Sequence, residues 1–171
     1  MQIKYTVSDS PLGKMLLAAT ETGISALYLG QSVAQLEQEL RNEYPRAELT
    51  REDRGSAHLK LWLGTVLAHL EGRQPHLDLP TDVQATAFQR RVWEELRRIP
   101  YGATSSYSEV ARAIGKPSAV RAVARACATN PVSIVVPCHR VVREGGDLAG
   151  YRWGLRRKRD LLDRESASQK K

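Results

Sequence analysis

The sequence predicts an α/β chain of the α+β kind: a small N-terminal lobe of sheet and helix over residues 1–79, then a mostly helical C-terminal domain over residues 80–171 containing a helix-turn-helix. Three observations predict it. Short β-branched runs separated by turn residues fill the first stretch of chain. A polar segment with two prolines, residues 72–85, reads as a linker. Beyond it two capping boxes appear, each opening a stripe of apolar residues at helical spacing.

Residues 3–7 form a short strand rich in β-branched residues, and Pro11-Leu12-Gly13 is a turn. Residues 14–20 and 24–29 are two further strands, separated by Glu21-Thr22-Gly23. Ser32 caps a helix with Val33, Leu36 and Leu40 on one face. A second helix runs over residues 58–70, where Leu59, Trp62, Leu63, Val66, Leu67 and Leu70 recur at helical spacing; Gly72 ends it. After the linker, Thr86 to Gln89 is a capping box, Phe88, Val92, Trp93 and Leu96 make a stripe, and Pro100 stops the helix. Ser106 to Glu109 is a second box, opening a short helix with Val110, Ala113 and Ile114. Gly115-Lys116-Pro117 breaks that helix, and another covers residues 118–128, so the pair has helix-turn-helix form. Residues 133–136 read as a buried strand ended by Pro137, and Gly145-Gly146-Asp147 as a turn. A last helix covers residues 155–165, with Leu155, Leu161 and Leu162 as its apolar contacts, and the biased tail 166–171 follows.

Composition narrows the function classes. At 171 residues and 42% apolar, the chain can bury a real core. Lys and Arg outnumber Asp and Glu by 26 to 19, and the net charge of +7 favours an anionic partner such as nucleic acid. Two cysteines, Cys127 and Cys138, are too few for a disulfide scaffold or a four-cysteine metal site, so a reduced, cytoplasmic setting is expected. No stretch has signal-peptide character or approaches the roughly 20 apolar residues that span a bilayer, which argues for a soluble protein with no membrane partner.

The chemistry concentrates around Cys138. A lone cysteine is ordinarily a small buried hydrophobe, but His139 and Arg140 are poor neighbours for an inert core thiol, and a cationic setting lowers a thiol pKa. In an extended chain, successive side chains point to opposite faces, so His139 does not grip Cys138 directly; a bridging water carries the proton, and Glu165 is the candidate acid that orients the imidazole. A structural histidine bonded to a backbone carbonyl is the alternative. The helix over residues 118–128 is rich in Ala and carries Arg121 and Arg125 on one face, which suits either close approach to a groove or a core helix with a solvated face. Asn130-Pro131 is a turn whose Asn side chain can hold two backbone segments. Arg156 to Arg159 read as a solvated basic face, and Trp62 and Trp93 as core.

Pro137-Cys138-His139-Arg140-Val141, preceded by Ser-Ile-Val-Val, resembles the active-site signature of the O6-alkylguanine-DNA alkyltransferases, also known as methylated-DNA–protein-cysteine methyltransferases. The likeness runs from about Thr86 to Glu165, and Gly150-Tyr151-Arg152-Trp153-Gly154 is similar in particular to the carboxy-terminal domain of bacterial Ada proteins. The resemblance implies DNA repair by direct, stoichiometric and irreversible transfer of an alkyl group from O6-alkylguanine, and from O4-methylthymine, in duplex DNA to Cys138. It implies a relay of His139 and Glu165, contact of Tyr107 with a flipped base, and insertion of Arg121 into the gap. It also implies minor-groove approach by Ser118, Ala119, Arg121 and Ala122, a turn organised by Asn130, and a pocket lined by Val141, Tyr151, Arg152 and Trp153.

Where many relatives follow the tyrosine with a small residue and Gly-Gly, this chain has Arg152 and Trp153, so the pocket is expected to be narrow. No cofactor is expected, and no zinc, because the N-terminal lobe has no cysteine. A monomer with no obligate protein partner is expected, and no transcriptional activation. The rival readings are a damage sensor without an acceptor, a plain helix-turn-helix regulator, and a cysteine hydrolase that turns over repeatedly.

Overall fold

The computed structural model describes residues 1–54 and 56–169. Two compact units meet between Val83 and Gln84 rather than at 79/80. The later boundary has a direct cause: the end of the supposed linker is bonded to the first unit. Ile24 N–H donates to the Pro80 carbonyl at 2.9 Å and Asp82 N–H to the Ile24 carbonyl at 2.8 Å. Thr20, Thr22 and Ser25 add side-chain bonds to Asp82.

The first unit is built on a sheet of order β3-β2-β1-β4, where β1 is Gln2–Ser10, β2 Gly13–Ala19, β3 Ile24–Gly30 and β4 Glu48–Arg51. The first three strands form an antiparallel meander, and β4 pairs parallel with β1 through Ile3↔Leu49. Every residue of β3 is buried; since alternate side chains face opposite ways, both sides of that strand are covered. Two helices pack on the sheet: α1, Val33–Glu43, on β2 and β3, and α2, Ala57–Leu70, on β1 and β2. Ser32 caps α1 by accepting from Gln35 N–H. Strand β4 has no marker in the local sequence: it holds one apolar residue, Leu49, and lies largely exposed at the sheet edge.

The second unit is mainly helical: α3 Ala87–Arg97, α4 Tyr107–Ala113, α5 Val120–Ala128 and α6 Leu155–Gln169. Both capping boxes form, with Thr86 and Ser106 each exchanging bonds with the residue three positions on. A two-stranded parallel ladder joins β5, Ser105–Ser106, to β6, Val141–Val142. Helix α5 starts at Val120, not Ser118, because Ala119 N–H closes a turn onto the Lys116 carbonyl. Helix α6 runs past Glu165 into the tail; Lys170 and Lys171 lie outside the described residues. Among the described residues no helix is long and apolar enough to cross a membrane.

Residues 133–136 are not a strand. They form a tight turn, with Val136 N–H bonded to the Val132 carbonyl and Ile134 at φ 74°. A β-branched residue in the left-handed region costs on the order of 1–3 kcal/mol, and the surroundings must enforce it. Pro131 and Pro137 flank the segment without N–H groups to support a ladder. Asn130 supplies the substitute.

Candidate active site

Asn130 is 1% exposed and spends its side chain on the turn. Its Oδ1 accepts from Val132 N–H at 3.0 Å, and its Nδ2 donates to the Val136 carbonyl at 2.9 Å. The same Nδ2 reaches Cys138 Sγ at 3.3 Å. One amide thus ties both ends of the turn together and points a donor at the thiol.

Residues Cys138–Arg140 form one turn of 3-10 helix rather than extended chain. In this turn His139 and Arg140 both face Glu165. His139 Nε2 lies 2.8 Å from Glu165 Oε1. Arg140 donates through Nε and Nη2 to the same carboxylate, and through Nη1 to the Ile99 carbonyl at 2.9 Å. Burial pushes Glu165 up, but the bonds from His139 and Arg140 outweigh it and hold its pKa at about 2. The carboxylate is therefore ionised and can only accept, which puts the proton of a neutral His139 on Nε2. Burial also pushes the His139 pKa below its ordinary value, against the pull of Glu165, so the imidazole is neutral at pH 7. Its Nδ1 is buried with no hydrogen-bond partner among the described residues. The result is an oriented, neutral base with its lone pair unspent.

Cys138 is 4% exposed, and burial pushes its thiol up; the Asn130 bond and the Lys158 charge offset this only in part. The sequence expectation of a lowered thiol pKa is therefore corrected, since His139 is neutral and the Arg140 guanidinium is bonded to Glu165 instead. Lys158 is the nearer cation in effect, and it too corrects an expectation. It is fully buried rather than solvated, and it donates to the carbonyls of Val141 at 2.6 Å and Ala149 at 3.1 Å. Its ammonium sits 5.9 Å from the Tyr107 ring centroid. Tyr107, the first residue of α4, is 8% exposed, and burial raises its pKa to about 12. It is anchored through Ser106, which caps α4 and pairs with Val142 in the β5–β6 ladder.

Among the described residues of α6 the buried positions are Lys158, Leu161 and Glu165, one helical face, whereas Leu155, expected as an apolar contact, is 49% exposed. Trp153, also buried, donates from Nε1 to Ser133 Oγ at 2.8 Å, with the Arg152 guanidinium 4.7 Å over its ring. Val141 is fully buried, and burial pushes Tyr151 well above its ordinary pKa.

Two family models match the chain: the 6-O-methylguanine DNA methyltransferase ribonuclease-like domain over residues 3–83, and the DNA binding domain of the same family over residues 87–167. A methylated-DNA–protein-cysteine methyltransferase of Mycolicibacterium paratuberculosis is 40% identical over 94% of this chain and 90% of its own length. The chain belongs to the 6-O-methylguanine DNA methyltransferase family. The bifunctional transcriptional activator and DNA repair enzyme Ada of Escherichia coli is 46% identical over the whole chain. Only 48% of that relative is covered, so the chain spans about half the length of the Ada proteins it matches. Among solved structures, Mycobacterium tuberculosis OGT in complex with DNA superposes with a TM-score of 0.81 at 34% identity, covering 96% of this chain and 94% of that one.

Within the segment matched by the family's DNA binding domain, α5 presents Ser118, Arg121, Ala122 and Arg125 to solvent at its start and along one face, with Ala119 half-buried. Val123, Ala126 and Cys127 face inward. Two residues of the site are not marked by the local sequence. Arg140 stands there as a charge beside the thiol, and its bonding to Glu165 depends on a 3-10 turn that no local pattern announces. Lys158 was legible in principle: it stands three and seven positions before Leu161 and Glu165, but its charge hid it inside a basic run.

Proposed function

We propose that this chain repairs alkylated duplex DNA by moving one alkyl group from O6 of guanine, or O4 of thymine, onto Cys138. The observation that carries this reading is the Glu165–His139 pair: a buried, neutral imidazole held by an ionised carboxylate, one residue from a thiol kept protonated by burial. The thiol gives its proton, through a water, to His139 Nδ1, and Glu165 stabilises the resulting imidazolium. Sγ then attacks the alkyl carbon, the carbon–O6 bond breaks, and its electron pair stays on the base. Tyr107, which remains protonated at neutral pH, donates to the leaving guanine. The product thioether has no carbonyl for water to attack, so the protein is spent after one turnover.

To reach the thiol the base leaves the stack, which costs a few kcal/mol. We assign α4 and α5 as a helix-turn-helix that enters the minor groove as a monomer. Ser118, Ala119 and Ala122 allow close approach, and Arg121 fills the gap left in the duplex. We also assign Tyr151, Arg152, Trp153 and Val141 as the pocket wall, with Trp153 restricting it to small adducts. The rival reading is a sensor that holds the lesion without chemistry, and the presence of Cys138 argues against it. Cys138→Ala separates the two: transfer is abolished and lesion binding retained if the thiol is the acceptor, whereas transfer surviving the substitution contradicts the proposal.

A further inference from the structure

The parallel ladder of the second unit pairs Ser105 with Val141 and Ser106 with Val142. Both strands run the same way and neighbouring strands lie about 4.8 Å apart, so the chain leaves the ladder at Tyr107 and at Arg143 side by side. Tyr107 turns inward and opens α4, whereas Arg143 is exposed. The backbone beyond Arg143 is fixed. Its N–H donates to the Asp147 carbonyl at 2.9 Å, and its carbonyl accepts from Gly146 N–H at 3.0 Å. Gly145 and Gly146 hold φ of 90° and 89°, which closes this turn where a side chain would strain it. The Arg143 charge reaches the phenol: burial pushes the Tyr107 pKa up to about 12, and Arg143 opposes the rise. Other cations of this stretch are committed. Arg140 serves Glu165, Arg157 the Trp153 carbonyl and Lys158 the carbonyls of Val141 and Ala149. Among the described residues the Arg143 side chain has no hydrogen bond or ion pair, and neither Glu144 nor Asp147, the acids of its own turn, pairs with it.

From this placement we infer that Arg143 binds a backbone phosphate of the extruded nucleotide and so holds the flipped base in the site. The inference rests on the proposed transfer from a flipped base in contact with Tyr107. A base that leaves the stack stays tethered to its sugar and to a phosphate on either side, so these anions arrive beside Tyr107 with it. An uncommitted guanidinium suits them, because its planar fork meets two phosphate oxygens at once. A phosphate held there opposes return of the base to the stack, and the contact raises the share of DNA in the reactive form. Arg143 thus differs in task from Arg121: one holds what has left the duplex, the other fills the gap it leaves.

The test measures the second-order rate of methyl transfer from O6-methylguanine in three duplexes. One is unmodified, and the other two carry an uncharged methylphosphonate at the phosphate on one side of the lesion or the other. Wild type, Arg143→Ala and Arg143→Lys are compared. In wild type, one of the two methylphosphonates is expected to slow transfer by about tenfold, the scale of one charge-assisted hydrogen bond. Arg143→Ala should lose about the same on the unmodified duplex and nothing further on that methylphosphonate duplex, because the two changes remove one contact. It should also lower the slope of log rate against log salt by about one. Arg143→Lys, which keeps the charge, should recover most of the rate. Losses that multiply when the two changes are combined overturn the inference, since Arg143 then acts elsewhere; so does a wild-type rate in Arg143→Ala. In both cases label on Cys138 of the wild-type chain leaves the proposed function standing. Failure of the wild-type chain to take up label from the unmodified duplex overturns that function, and the inference with it.

Discussion

At the residue scale the decisive feature is a single carboxylate shared by two donors. Glu165 fixes the tautomer of His139, and Arg140 keeps Glu165 ionised. Glu165→Gln removes the ionised acceptor while conserving shape, so under the proposed mechanism the His139 imidazolium loses its partner. The methyl-transfer rate should fall by about a hundredfold or more, and single-turnover kinetics measures it. Because burial holds the His139 pKa below its ordinary value, the wild-type rate should stay level as pH falls from neutrality and drop only below the usual histidine range. Cys138, His139 and Glu165 could be named from the sequence because a thiol beside an imidazole is unusual and Glu165 is an acid on the last helix. The direction of the thiol shift could not, since it depends on which partner each neighbouring cation turns to face.

At the element scale, the turn over residues 130–138 shows where local pattern misleads. Its β-branched residues favour a strand, yet Asn130 supplies a donor and an acceptor that close a turn instead, with Ile134 at positive φ. Asn130→Ala leaves the buried Val132 N–H and Val136 carbonyl without those partners, and should destabilise the protein by about 3 kcal/mol in chemical denaturation. It should also slow transfer, because the donor to Cys138 Sγ is lost with it. The helices α3 and α4 were legible, since capping boxes and apolar stripes agree there with tertiary packing. Strand β4 was not, because one leucine between polar residues carries no period. On α5, Arg121 is exposed on the face that carries Ala122. If it fills the gap in the duplex, Arg121→Ala should slow repair in duplex DNA far more than transfer from the free base, and competition between the two substrates would reveal equal losses.

At the scale of the whole molecule, the two-part organisation was legible from composition, but the boundary was not. Pro80 to Asp82 look like linker and instead bond to β3 and its turn, through pairings with no counterpart in local sequence. Acid stability follows from the second unit. Glu165 titrates at about 2 in the folded chain against an ordinary 4.5, so its contribution is fully present above about pH 4.5 and fades as pH falls toward 2. That contribution is on the order of 3 kcal/mol and should be absent in Glu165→Gln when unfolding is followed against pH. The central claim concerns stoichiometry and place. The most direct measurement incubates the protein with duplex DNA carrying a labelled O6-methylguanine, then maps the label by peptide mass. The account predicts one methyl per protein, on Cys138, with a plateau at equimolar damage. Label on another residue, or transfer continuing past equimolar damage, would contradict it.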